Sequence, residues 1–335
     1  MVAGTLGSLD KEGAMKMADN SVITAGIDTS KDKLDTAIHG QADSLVVQNE
    51  TAGWKKLADW LKQSGVTRVG IEATGGYERG ALRYLQQVGF TVILLQPLQV
   101  KAFGKLMLRR AKSDQLDAAL IAHCTHTIDA YNKMAPDARF DALGDRLTYI
   151  EQIEEDIARF KTRLEHIGDT RLRRTVGADI KRLKKRRLDE LMCLRKAVRE
   201  HDDLAKRYTL VESIPTIGAR TALSIVVRMP ELGQLSREQA ASLAGLAPFV
   251  HQSGKFKGET HIGGGRARLR RSLYIAALPG AFRWNPELKA LYERLVARGK
   301  SPKCALVACA RKLLIFANAV VARGTPWENT RPATA

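Results

Sequence analysis

Cysteine is scarce in this chain of 335 residues. The four present, Cys124, Cys193, Cys304 and Cys309, are scattered and form no CxxC pair, which excludes a disulfide framework and a zinc ribbon. They read as reduced, buried small hydrophobes. His123, Cys124 and His126 lie close together, yet nothing at ligand spacing completes a zinc site. No uninterrupted apolar run reaches the roughly 18 to 20 residues that span a bilayer, and the first residues hold no signal-peptide core, so a cytoplasmic protein with no membrane partner is expected. Gly263-Gly264-Gly265-Arg266 is flexible and basic, but the G-x-x-x-x-G-K-[ST] spacing is missing, so nucleotide hydrolysis is not indicated.

Acidic residues are also in deficit. The formal net charge is +18, the signature of a partner bearing a dense row of phosphates. The charge is not spread evenly. Arg159 to Arg187 carries twelve Lys/Arg against three Asp/Glu, and His251 to Arg323 fifteen against three, so the rest of the chain sums to −3. Acids in the N-terminal third therefore require their own explanation.

Residues 1–20 are small, polar and without periodicity and read as a disordered leader, with Met15 or Met17 as alternative starts. Residues 21–145 follow the order βββαβαβα: strands at Val22–Ile27, Leu34–Ile38 and Leu45–Gln48, a helix capped by Thr51, a strand at Arg68–Ile71, a helix at Glu78–Val88, a strand at Thr91–Leu95, a helix at Pro97–Leu108 and one capped by Ser113. That is the order of an RNase H-like α/β fold. In residues 146–208, Ile150, Ile153, Ile157, Phe160, Leu164 and Ile167 alternate spacings of three and four, a coiled-coil seam. Gly168 and Gly177 should interrupt it and give two antiparallel helices or a helical protrusion. Residues 209–325 read as a helical domain, and 326–335 as a tail. Within this domain Ile214-Pro215-Thr216-Ile217-Gly218 has the form of a helix-hairpin-helix, whose glycine turn would offer backbone N–H groups to a phosphate; an ordinary αα-turn has the same look. Arg266–Ala281 and Ser301–Arg323 close the chain.

Asp28 ends the first strand and Glu72 the fourth; in an RNase H-like sheet these strands are parallel neighbours, so both acids emerge at one edge. Asp114 and Asp117, three apart, share a face of a helix's first turn. Four carboxylates converging would repel unless a cation neutralised them, and Mg2+ suits hard oxygen ligands and phosphate oxygens. Taken singly, each acid could be an ordinary surface or helix-terminal residue. Ser253, in His251-Gln252-Ser253-Gly254-Lys255-Phe256-Lys257-Gly258, is a candidate nucleophile because nearby cations can hold a phosphate and lower the hydroxyl pKa. Lys255, Lys257, Arg266, Arg268, Arg270 and Arg271 could do this, although Ser-Gly is also a common turn dipeptide. Lys181, Arg182, Lys184, Lys185, Arg186, Arg187 and Gly218 are further candidate nucleic-acid contacts.

Five blocks, in order, carry a family resemblance: Gly26-Ile27-Asp28-Thr29-Ser30-Lys31, Glu72-Ala73-Thr74-Gly75-Gly76-Tyr77-Glu78, Ala111-Lys112-Ser113-Asp114-Gln115-Leu116-Asp117-Ala118, Ile214-Pro215-Thr216-Ile217-Gly218, and Ala244-Gly245-Leu246-Ala247-Pro248 leading to Ser253-Gly254. From about Thr24 to Trp327 the chain resembles the insertion-sequence one-hundred-and-ten transposases, relatives of the Piv pilin-gene invertases. The block Gly264-Gly265-Arg266 to Leu278 is similar to the eleven-hundred-and-eleven subgroup. The leader and Gln115, where Arg is commoner, depart from the pattern. The resemblance implies a RuvC-like domain with an Asp-Glu-Asp-Asp set at Asp28, Glu72, Asp114 and Asp117, and a transposase domain with its nucleophilic serine at Ser253. It also implies a structured bridge RNA pairing with donor and target DNA, and a tetramer with composite sites.

The expectation is thus a nucleoid-associated DNA recombinase that uses Mg2+ and a covalent phosphoserine–DNA intermediate. Its rivals are a hydrolytic, RuvC-like structure-specific nuclease, in which water attacks and Ser253 is a turn residue, and a non-catalytic nucleic-acid scaffold.

Overall fold

The computed structural model describes residues 22–107, 114–128, 137–249, 252–253, 256–257 and 261–328, with backbone alone at 114, 115, 249, 252, 253, 256 and 257. The leader and the capping role of Ser113 lie outside the described residues. Two compact units divide the chain, residues 1–136 and 137–335.

The first unit is a five-stranded sheet in the order β3-β2-β1-β4-β5, built from β1 (Thr24–Thr29), β2 (Lys33–Ile38), β3 (Ser44–Gln48), β4 (Arg68–Glu72) and β5 (Thr91–Leu95). The first three strands are antiparallel, while β4 and β5 add in parallel. This is the RNase H-like arrangement. Helices α1 (Thr51–Gln63), α2 (Arg79–Gln87), α3 (Pro97–Leu106) and α4 (Asp114–Thr127) complete it. Thr51 is the first residue of α1 rather than its cap: Glu50 holds the extended N-cap position and no side chain caps the helix.

Strand alternation divides the core. Ala25, Ile27, Val69 and Ile71 pack with Leu57, Leu61 and Leu85 of α1 and α2 on one face. The opposite face of β1 and β4 carries glycine, and α4 lies directly against it. A Cβ at Gly26 would sit 2.1 Å from the Ala122 backbone nitrogen and 2.4 Å from the Ala118 carbonyl oxygen; one at Gly70 would sit 1.8 Å from Thr125 Oγ1. Glycine there is the condition for helix and sheet to touch backbone to backbone.

The second unit opens with α5 (Ala138–His166) and α6 (Thr170–Arg199), two long arms joined by a short turn in which Asp169 caps α6. The arms begin at Ala138 rather than 146, and Gly177 does not break α6, since helix-forming neighbours carry the ladder through it. Ile153, Ile157, Val176 and Ile180 form the outer seam, with Phe160, Leu164 and Ile167 against it. Leu143, Leu147, Ile150, Leu194 and Val198 instead join the main core, so the arms grow out of the helical unit. That core is closed by α7 (Asp202–Glu212), α8 (Ala219–Arg228), α9 (Arg237–Leu243), α10 (Ala267–Pro279), a π-helical turn (Gly280–Trp284), α11 (Pro286–Ala297) and α12 (Pro302–Arg323).

Three expectations need correction. Helix α11 was not foreseen; Asn285, 2% exposed, caps it by accepting from Leu288 N. Helix α12 is long and apolar enough to cross a membrane by length and composition, despite Arg311 and Lys312; its Leu306, Cys309, Leu313, Leu314 and Val320 instead fill the core. Of the free cysteines, Cys124 and Cys309 are buried but Cys193 and Cys304 are exposed. Burial pushes the Cys309 thiol up to about 11.

Candidate active site

The same tripeptide logic occurs twice in the sheet. Gly26-Ile27-Asp28 of β1 and Gly70-Ile71-Glu72 of β4 run parallel and in register, Gly26 opposite Gly70 and Ile27 opposite Ile71. In each, glycine seats α4, isoleucine fills the opposite core, and the acid two residues beyond the glycine projects to the α4 face at the strand's C-terminal end. Helix α4 runs against β1. Its far end carries His123 and His126, which stack on His39 at 4.9 and 4.4 Å, and His39 N donates to Thr24 O at the start of β1. The N-terminal end of α4, with Asp117 immediately before Ala118, therefore lies toward the edge where Asp28 and Glu72 emerge. All three acids are half-buried. Among the described residues no three His, Cys, Asp or Glu side chains are gathered closely enough to hold a metal ion, and Asp114 is described by its backbone alone.

Two residues near this edge escaped the sequence reading. Asp35 of β2, 7% exposed, is the register partner of Asp28 and is paired by Lys33 Nζ at 3.0 Å. Its signal was present in Lys33-x-Asp35, two residues on one face of a strand. Asn49 ties together the loops that follow the two acid-bearing strands: its Nδ2 donates to Ser30 O at 2.9 Å and Tyr77 O at 3.0 Å, while its Oδ1 accepts from Trp54 Nε1 at 2.8 Å. Nothing local in the sequence marks that role. Glu78 sets the second loop, its carboxylate accepting from Thr74 N and Gly76 N.

In the second unit, Ser253 belongs to β7 (Gln252–Ser253), which pairs with β8 (Phe256–Lys257) as a hairpin, Ser253 opposite Phe256. Its side chain and those of Lys255 and Lys257 lie outside the description. The base of this segment is held by β6 (Pro248–Phe249) pairing with β9 (His261–Ile262) and by backbone packing. Gly245 and Gly265 have φ of 67° and 60°, and a Cβ at Gly265 would stand 2.3 Å from Gly245 N. Arg270 Nη1 donates to Gly264 O at 2.6 Å across the same join. The glycines thus serve close approach as well as flexibility.

Several arginines expected to meet phosphate have partners within the protein. Arg266 makes a two-pronged pair with Glu231, at 2.8 and 2.6 Å; burial works to raise the Glu231 carboxyl, but the Arg266 hydrogen bonds and charge prevail and hold it low. Arg268, Arg220 and Arg228 all meet Glu151, at 2.8, 3.3 and 2.6 Å, and Arg271 meets Glu155 at 3.2 Å. Glu151, Glu155, Arg220, Arg268 and Arg271, with Lys161 and Arg187, line a cleft of about 470 Å³ between the arms and the helices α8 and α10. On α6, Lys181, Lys184, Lys185 and Arg186 are exposed, as are Arg182, beside Asp179, and Arg187, 3.9 Å from Glu154. Gly218 is the N-cap of α8, but the left-handed residue of that hairpin is Thr216, at φ 84°, not the glycine.

With this geometry in view, comparison with known proteins is decisive. Residues 25–168 match a family described as transposase, and residues 208–293 match the transposase IS116/IS110/IS902 family. The chain belongs to this transposase family. The transposase is thus an enzyme of DNA cleavage and strand transfer that binds DNA, and its acidic RuvC-like domain implies a divalent cation. It is 26% identical over 322 residues to the pilin gene-inverting proteins of Moraxella bovis and Moraxella lacunata, covering 90% of this chain and 97% of each relative. An uncharacterized protein of insertion element IS110 from Streptomyces coelicolor is 32% identical over 126 residues, 37% of this chain and 31% of that protein. Among solved structures, T. thermophilus RuvC in complex with Holliday junction substrate matches with 19% identity and a TM-score of 0.26, covering 31% of the transposase and 91% of that chain.

Proposed function

We propose that the transposase breaks and rejoins DNA by attack of Ser253 on the phosphodiester, guided by a structured bridge RNA and acting as a tetramer with composite sites. The observation that carries the reading is the in-register pair Gly26-Ile27-Asp28 and Gly70-Ile71-Glu72 beneath α4, which supports a nuclease-type acidic centre built from Asp28, Glu72, Asp114 and Asp117. These four would hold Mg2+, which supplies charge neutralisation at phosphate oxygens. The Ser253 oxygen gives up its proton and forms a bond to phosphorus as the bond to one sugar oxygen breaks, and that sugar oxygen takes up a proton and leaves as a hydroxyl. Attack by the hydroxyl of a new strand reverses the step and frees the serine. Because the phosphoester is conserved, rejoining requires no external energy source. The pilin gene-inverting relatives support rejoining over a free break, since inverting a segment requires its ends to be resealed.

The exposed cations of α6 support a second polyanion beside DNA, and RNA retained through purification should dissociate steeply as salt rises. Expressed with its flanking DNA, the transposase is expected to form a DNA adduct that survives denaturation and disappears on protease digestion. Ser253→Ala should abolish the adduct while nucleic-acid binding persists. Cleavage that continues in Ser253→Ala without an adduct would replace this reading with the hydrolytic nuclease. Recombination by RNA-free protein would remove the guide.

A further inference from the structure

Aromatic side chains make up only 6% of the transposase, and most of those whose side chains are described are buried or partly buried. Among residues whose side chains are described, Phe282 and Trp284 are the only Phe or Trp that stand more than one-third exposed, at 56% and 58%. Both sit on the π-helical turn Gly280–Trp284 that follows Pro279. Such turns are rare and concentrate at functional sites. We propose that this turn is a stacking platform for unpaired nucleobases of a single DNA or RNA strand.

The turn is fixed from below and open above. Gly280 is buried, and a Cβ there would lie 2.9 Å from Leu288 Cδ1 and 3.2 Å from Thr216 Cγ2, so the turn presses against α11 and the α7–α8 hairpin. The buried cap Asn285 holds its end. Phe282 is braced edge-on by Tyr292, ring centroids 5.0 Å apart, and the Arg283 guanidinium stands 4.8 Å from the centre of the Trp284 ring. Arg283 is exposed and has no acidic partner among the described residues. Two held rings beside a cation are what a base and its phosphate require: every base has a π-face, and arginine adds to the stack. Charge favours this occupant over an apolar protein surface, because the stretch His251 to Arg323 is strongly basic. A duplex hides the faces of its bases, so the platform selects strands that are unpaired, as DNA ends are between cleavage and rejoining. The proposal rests on DNA handling by the family and not on Ser253 or the metal.

The test uses the full-length transposase and four labelled probes: a single-stranded DNA, the RNA of equal sequence, an abasic strand of equal length, and a duplex. Wild type should prefer the base-bearing strands to the abasic one. In Phe282→Ala/Trp284→Ala that preference should fall about tenfold, with duplex affinity unchanged, while Phe282→Tyr/Trp284→Phe should retain it. Comparing the DNA and RNA arms identifies the strand. An unchanged preference in the alanine variant would overturn the proposal. So would equal weakening on every probe accompanied by a change in sedimentation, which would make the turn a contact between copies of the chain.

Discussion

Asp28 and Asp35 are register partners across the β1–β2 ladder, so two carboxylates share one face at the edge where Glu72 also emerges. Like charges directly opposite one another weaken a sheet by about 0.2–1 kcal/mol. Lys33, 3.0 Å from Asp35, offsets part of that. Asp35→Asn should therefore raise the melting temperature of metal-free transposase by about 1–3 °C, while a higher concentration of divalent cation should be needed for DNA cleavage because the field at the edge is less negative. A melting curve and a metal titration on one preparation test both. An unchanged metal requirement would leave Asp35 as a purely structural residue.

The glycine seats can be probed through their partners. Gly70→Ala drives a methyl into Thr125 Oγ1, and overpacking of this kind costs about 1–3 kcal/mol. Thr125→Ala removes the nearest obstacle, so the double variant should recover part of the lost stability and cleavage. Gly26→Ala meets α4 backbone atoms and should find no such rescue. Additive losses in the Gly70/Thr125 cycle would contradict the direct packing of α4 on the sheet.

Asn49 acts on the site through the two loops it joins. Asn49→Ala removes three hydrogen bonds, each worth about 0.5–1.5 kcal/mol. DNA affinity should remain while the rate of cleavage falls. Asn49→Asp keeps the acceptor for Trp54 but loses both loop contacts, so it should resemble alanine in rate and wild type in the environment of Trp54, read by fluorescence. Equal loss of affinity and rate would point to general unfolding instead.

Acid should loosen α4. Burial first, then the nearby His126 and His123, hold His39 below its ordinary value of 6.5. A histidine with a depressed folded value binds protons more readily when unfolded, so its contribution to stability is complete above 6.5 and is lost as pH falls below it. Melting temperature should decline from pH 7.5 to 5.5, and His39→Phe, which keeps a ring in the stack without a proton site, should flatten that decline. An identical pH profile in the variant would assign the effect to other groups.

Much of this was legible in sequence because it is local. Period-two alternation in Thr24–Thr29 and Arg68–Glu72 marks which residues face the core and puts Asp28 and Glu72 at strand ends, and the order βββαβαβα points to the RNase H-like sheet in which those two strands are neighbours. The heptad spacing likewise marks the seam between the arms, though not where they begin. The tertiary structure decided what depends on long-range partners: that Asp35 faces Asp28, that Asn49 bridges two loops, that Gly26 and Gly70 exist to admit α4, and that Arg266 and Arg268 are engaged by Glu231 and Glu151. Composition reports how many arginines a segment holds, but whether each meets a carboxylate or a phosphate is settled by groups distant in sequence, at separations only folding sets. Exposure is equally nonlocal, since the Phe and Trp of the turn after Pro279 are outside because Gly280 and Asn285 occupy the space beneath.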